Sequence, residues 1–285
     1  MSHPIRFSLL IDAGNTRIKW AIFQAGALRL PMPWLATGSL AHEEIDTLSK
    51  QVRDFIDESN DELTIDEVLI SNVAGDQVQA NLERNLQAEF PQTLLRRFRS
   101  SAICAGLRNQ YAMPEQLGSD RFASALAAHH FFPDTPLVVA TCGTATTIDA
   151  LVPGRGFVGG MIAPGLRTMA LSLAKNTAQL PDLTAQAGQL SLPELFANNT
   201  QQAIWSGCIH AQLGALQCAI TELQKQTESR VELLVSGGAV AYLQPYFAAQ
   251  LVPLLGSEMA LHHVENLVLT GLAVAAQEAQ LTPEI

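Results

Sequence analysis

Apolar residues along the chain switch between two periods. Leu9-Leu10-Ile11 and Ile18-Lys19-Trp20-Ala21-Ile22-Phe23 flank the polar stretch Asp12-Ala13-Gly14-Asn15-Thr16, which predicts two β-strands joined by a Gly-Asn turn. The unit returns as Leu137-Val138-Val139-Ala140, then Thr141-Cys142-Gly143-Thr144, then the apolar-rich residues 145–151. Glycine at 14 and 143 permits close approach of the backbone to a ligand, and the echo suggests a duplicated α/β domain. Between the hairpins, residues 42–58 and 76–90 show helical spacing and flank a buried-strand pattern over 67–73. An Ala-rich helix is expected over 119–132, stopping before Pro133-Asp134-Thr135-Pro136. Beyond it the pattern gives strands over 156–162 and 231–235 and helices over 165–174, 200–226 and 267–279. Strands alternating with helices imply mixed or parallel sheets. The expected division is therefore 1–132 and 133–285, with the last helix free to pack back on the first half.

Composition narrows the class. A length of 285 residues favours two packed domains or one large one, and 48% apolar with 15% charged residues is a globular profile. Seventeen basic against twenty-seven acidic side chains leave a net charge of -10, which excludes nucleic acid as an expected partner. The opening residues carry one Arg, and the run Leu9–Ile11 is too short for a signal peptide or a membrane span, so a cytoplasmic protein is expected. Cys104, Cys142, Cys208 and Cys218 show no metal-ligand or disulfide spacing and read as four buried thiols. The adjacent pairs His129-His130 and His262-His263 diverge on any regular element, so no protein metal cluster is expected.

Four segments carry candidate chemistry. Asp12, Ala13, Gly14, Asn15, Thr16, Arg17, Ile18 and Lys19 spell D-x-G-N-T-x-x-K. That turn offers backbone amides and an ammonium for a nucleotide phosphate tail, and a carboxylate for its magnesium. D-x-G-N is also an ordinary turn composition. The hydroxyl-rich turn at Thr141–Thr147 offers a second amide-lined concavity, with Thr144 the expected phosphate contact and Thr146 and Thr147 assigned to strand structure. Gly237-Gly238 joins a strand to a helix, a geometry suited to an adenosine moiety but common without one. In Tyr111-Ala112-Met113-Pro114-Glu115-Gln116-Leu117-Gly118-Ser119-Asp120-Arg121, opposite charges stand at the start of an apolar helix. The helix dipole would favour Asp120 there without any function.

Taken in order and spacing, these motifs resemble the type III pantothenate kinases of the acetate and sugar kinase, Hsc70 and actin superfamily. The matching segments are D-x-G-N-T-x-x-K, Y-x-x-P-x-x-L-G-x-D-R, G-T-A-T-T-I-D from Gly143, Gly159–Gly165, Asn199–Gly207, Gly237-Gly238 and Asn266–Leu272. The resemblance implies two ribonuclease H-like, actin-like ATPase domains with mixed sheets and a nucleotide cleft between them. It also implies ATP-dependent phosphorylation of pantothenate to 4'-phosphopantothenate, the first step of coenzyme A synthesis. In that family the matched aspartate acts as base toward the pantothenate hydroxyl, which implies that role for Asp120. Pantothenate contacts are implied for Tyr111, Gly118, Ser119, Asp120, Arg121 and Thr200, and Thr200 would reach a neighbouring subunit's site in a homodimer. Asn199-Thr200 equally suits a helix N-cap. The chain departs from the family at Thr141, where many relatives carry an aspartate that helps hold a monovalent cation. ATP with Mg2+ is expected, whereas a K+ or NH4+ site lacks its carboxylate. The competing readings are a non-catalytic regulator of the Bvg accessory factor type and another small-molecule kinase on the same scaffold, since fold alone does not fix substrate.

Overall fold

The computed structural model describes residues 7–26, 28–59, 63–176 and 194–281, so the opening residues 1–6 lie outside it. The chain divides into two compact units, Met1–Pro133 with Asn266–Ile285, and Asp134–Glu265.

In the first unit, β1 (Phe7–Ala13) and β2 (Arg17–Gln24) form the expected hairpin, with Asp12 opposite Lys19. β3 (Ala36–Ala41) extends the sheet antiparallel to β2, while β4 (Ile65–Asn72) and β5 (Leu94–Arg97) add parallel strands beyond β1. The order is β3-β2-β1-β4-β5. One face packs Leu9, Ile11, Trp20 and Ile22 against Leu48 and Val52 of α1 (Leu48–Glu58) and Leu82 and Leu86 of α2 (Asp76–Glu89). Alternate residues such as Leu10 are equally buried because α8 (Leu267–Leu281) crosses the other face with α3 (Ser119–Phe131). Coverage on both faces explains the continuous apolar run of β1. A short hairpin, β6 (Ile103–Cys104) and β7 (Leu107–Arg108), precedes α3.

In the second unit, β8 (Leu137–Cys142), β9 (Ala145–Val152) and β10 (Gly156–Pro164) run antiparallel to their neighbours, and β11 (Glu232–Ser236) and β12 (Leu261–His263) continue parallel to β8. The order β10-β9-β8-β11-β12 repeats the first sheet in both sequence and direction. Its core joins Val138 and Ala140 to Leu213, Leu216 and Ile220 of α5 (Thr200–Thr227), with α4 (Leu166–Asn176), α6 (Val240–Gln250) and α7 (Val252–Leu255) alongside.

Several expectations need correction. Residues 42–58 are not one helix: a 3-10 turn over His42–Thr47 precedes α1. The Glu44 carboxylate accepts the Ala41 N–H at 2.9 Å and the Thr47 hydroxyl donates back to the Glu44 carbonyl, closing a tight turn before the α-helix starts. β3 and β5 carry no strand pattern in the sequence, because one is made mostly of small residues and the other is a short exposed edge. The four thiols are not uniformly buried: Cys142 and Cys208 are, Cys104 is half-buried and Cys218 is exposed on α5. No helix among the described residues is long and apolar enough to cross a membrane.

Candidate active site

The β1–β2 turn is closed by the Gly14 N–H donating to the Arg17 carbonyl at 3.1 Å. His42 Nε2 donates to the Gly14 carbonyl at 2.9 Å, a contact the sequence did not signal because it depends on β3 pairing beside β2. Asn15 and Thr16 are exposed at the tip, whereas Ala13 and Ile18 point into the core. The Arg17 guanidinium is held on β3, donating to the Ser39 hydroxyl at 2.8 Å and its carbonyl at 3.2 Å. Ala13, Arg17 and Ile18 therefore shape the turn through their backbone. Asp12 and Lys19 stand next to it on paired strands, and Lys19 Nζ donates to Asn266 Oδ1 at 3.3 Å.

Asp120 occupies the first turn of α3 beside the helix N-cap Gly118. Its Oδ1 accepts the Arg121 backbone N–H at 2.8 Å, a carboxylate placement the helix dipole favours. A Cβ on Gly118 would lie 2.6 Å from Asp120 Oδ1, so a larger residue there would displace the carboxylate from this position. The Ser119 hydroxyl lies 2.8 Å from that of Ser71, which tethers the helix start to the end of β4. Arg121 is buried and donates from Nη1 to Tyr111 Oη at 2.8 Å while stacking 5.6 Å from the ring. Tyr111, Gly118, Ser119, Asp120 and Arg121 thus converge within the first unit.

The electrostatics join the turn to the helix. The Asp12 carboxyl is raised to about 7, by burial first and then by the Asp120 charge, with Lys19 opposing both. Asp120 is also raised, by burial first, against the lowering effect of the Arg121 N–H and guanidinium. Asp12, on the strand that enters the turn, offers carboxylate oxygens of the kind that Mg2+ takes.

In the second unit, the Thr144 carbonyl accepts the Gly165 N–H at 2.9 Å and the Thr168 hydroxyl at 2.7 Å. Added Cβ atoms would meet Gly143 O at 2.0 Å from Gly165 and Cys142 O at 2.3 Å from Gly237. Gly237, with φ +100, is thus required by backbone packing, while Gly238 borders open space. Thr146 is buried in β9, and Thr141 and Thr144 remain accessible. Thr200 is exposed as the first residue of α5 and does not cap it: Asn199 does, its side chain accepting the Gln202 N–H at 3.0 Å. Thr200 edges a groove of about 950 Å3 between α4 and α5.

Two sheets of identical strand order, each opening on a hairpin with a polar Gly turn, define an actin-like ATPase fold. The chain belongs to the type III pantothenate kinase family, whose profile matches residues 8–222. It is 44% identical over 272 residues to the type III pantothenate kinase of Janthinobacterium sp. (strain Marseille), covering 94% of this chain and 96% of that one. With the enzyme of the same name from Herminiimonas arsenicoxydans it shares 42% over 270 residues, at 94% and 96% coverage. Among solved structures, a conserved putative Baf family transcriptional activator from Campylobacter jejuni aligns with TM-score 0.55 at 18% identity, covering 96% of this chain and all of that one, a likeness of fold.

Proposed function

We propose that the protein transfers the γ-phosphoryl group of ATP to the primary hydroxyl of pantothenate, giving 4'-phosphopantothenate and ADP in the first step of coenzyme A synthesis. The observation that carries this reading is the half-buried Asp120 carboxylate, held at the start of α3 by the Arg121 N–H and close enough to Asp12 to raise its pKa. A raised pKa makes Asp120 a stronger base than an exposed aspartate. The substrate hydroxyl attacks phosphorus, the bond to the β–γ bridging oxygen breaks toward ADP, and the hydroxyl proton passes to Asp120. Lys19 and the turn backbone at Asn15 and Thr16 take the phosphate tail, Gly14 letting the chain approach it closely, and we assign Thr144 a further nucleotide contact. Asp12 would hold Mg2+ or its water shell, which supplies charge neutralisation on the phosphates when bound. Tyr111 and Arg121 support the pantothenate end, and Thr141 offers K+ or NH4+ a hydroxyl without a carboxylate.

Exposed Leu173, Leu195 and Phe196 near the Thr200 groove support a homodimer in which Thr200 reaches the partner's substrate. The negative charge and the lack of a membrane-crossing helix among the described residues are consistent with a cytoplasmic enzyme. The test is a coupled assay of ADP release with pantothenate against a panel of sugars and acetate. Turnover confined to pantothenate supports the reading. ATP consumption indifferent to pantothenate would favour another kinase activity, and none at all a regulatory protein.

A further inference from the structure

Asn266 precedes α8, 247 residues along the chain from Lys19, yet its Oδ1 accepts the Lys19 ammonium at 3.3 Å. Among the described residues it is one of three non-glycine residues with positive φ, at +53. Its backbone is fixed from below, since its carbonyl accepts both the Thr270 N–H at 3.0 Å and the Thr270 hydroxyl at 3.2 Å. A left-handed backbone is less costly for Asn than for most residues, but Gly adopts it more readily and Asp nearly as well. The backbone therefore does not require an amide at this position; the lysine contact does.

Lys19 has a competing partner in Asp12, directly opposite on β1. Were the ammonium drawn wholly onto that carboxylate, each would cancel the other's charge and the lysine would be lost to an incoming anion. A neutral carbonyl oxygen can orient an ammonium through a charge-assisted hydrogen bond without removing its charge. We propose that Asn266 is a positioning residue that holds Lys19 toward the nucleotide phosphates through a neutral partner that does not offset its charge. The proposal rests on the reading of Lys19 as a phosphate ligand.

The test uses the full chain with Asn266→Gly, Asn266→Asp, Lys19→Met and the Asn266→Gly/Lys19→Met double variant. Steady-state constants are measured beside calorimetric binding of a non-hydrolysable ATP analogue with Mg2+. Asn266→Gly keeps the left-handed backbone and should raise the ATP KM and the analogue Kd about tenfold, with the pantothenate KM within about twofold of wild type. Asn266→Asp should weaken nucleotide binding at least as much, because its carboxylate neutralises the lysine, whereas a purely backbone role would tolerate Asp. In the Lys19→Met background, Asn266→Gly should add no further loss. Near wild-type analogue binding by both Asn266 variants overturns the proposal, as does a Gly penalty that persists without Lys19. The calorimetry decides this even if wild type fails to phosphorylate pantothenate, an outcome that would reject the functional reading instead.

Discussion

Asp120 acts electrostatically on Asp12, but the two are expected to fail differently. Asp120→Asn removes the proton acceptor and should lower kcat on the order of 100-fold or more with nucleotide affinity largely retained, measured by turnover and calorimetry side by side. Turnover close to wild type in the folded variant would take Asp120 out of the reaction. Asp12 also shows in stability. Its carboxyl is raised from 3.8 to about 7, so folding the ionised form is costly. At low pH both folded and unfolded chains hold the proton and the cost vanishes; it accumulates as pH rises from the unfolded value and is complete above the folded one. Without nucleotide or divalent cation, Asp12→Asn should melt above wild type at about pH 8, with the gap closing toward about pH 4. A gap independent of pH would show that the carboxyl titrates normally. Both aspartates were legible in sequence through their flanking glycines, but their mutual proximity was not, because 108 residues separate them.

At the level of elements, the returning helix depends on Gly271. A Cβ there would sit 1.8 Å from the Ala123 carbonyl of α3, a contact with backbone that no rotamer can relieve. Ala has a helix-propensity advantage of about 1 kcal/mol over Gly, but forced overpacking costs about 1–3 kcal/mol, so the clash wins. Gly271→Ala should lower stability in urea unfolding; an unchanged midpoint would show that α8 shifts freely on α3. The start of α5 offers a paired comparison. Asn199→Ala should destabilise by about 1 kcal/mol through the lost cap, whereas Thr200→Ala should leave the melting temperature alone and raise the KM for pantothenate more than that for ATP. Equal changes in both KM values for Thr200→Ala would remove its substrate role. From composition alone Asn199 and Thr200 were exchangeable as caps, and only the backbone position of each separates them.

For the whole molecule, Phe196 is 90% exposed beside Leu195 at 58%, an apolar pair that an isolated subunit has little reason to present to water. Phe196→Glu should shift sedimentation from dimer toward monomer and lower turnover in parallel; a monomeric wild type with full activity would reject the dimer. The duplicated hairpins, the longer helices and the residues around both polar turns could be read from the chain, because periodicity and turn chemistry act over a few neighbouring residues. The family resemblance rested on those same local motifs. The edge strand β3, the left-handed Asn266 against Lys19, the His42 contact to the Gly14 carbonyl and the pairing of α8 with α3 could not. Each brings together segments far apart in sequence, where no local period exists and the arrangement is set by which surfaces bury one another.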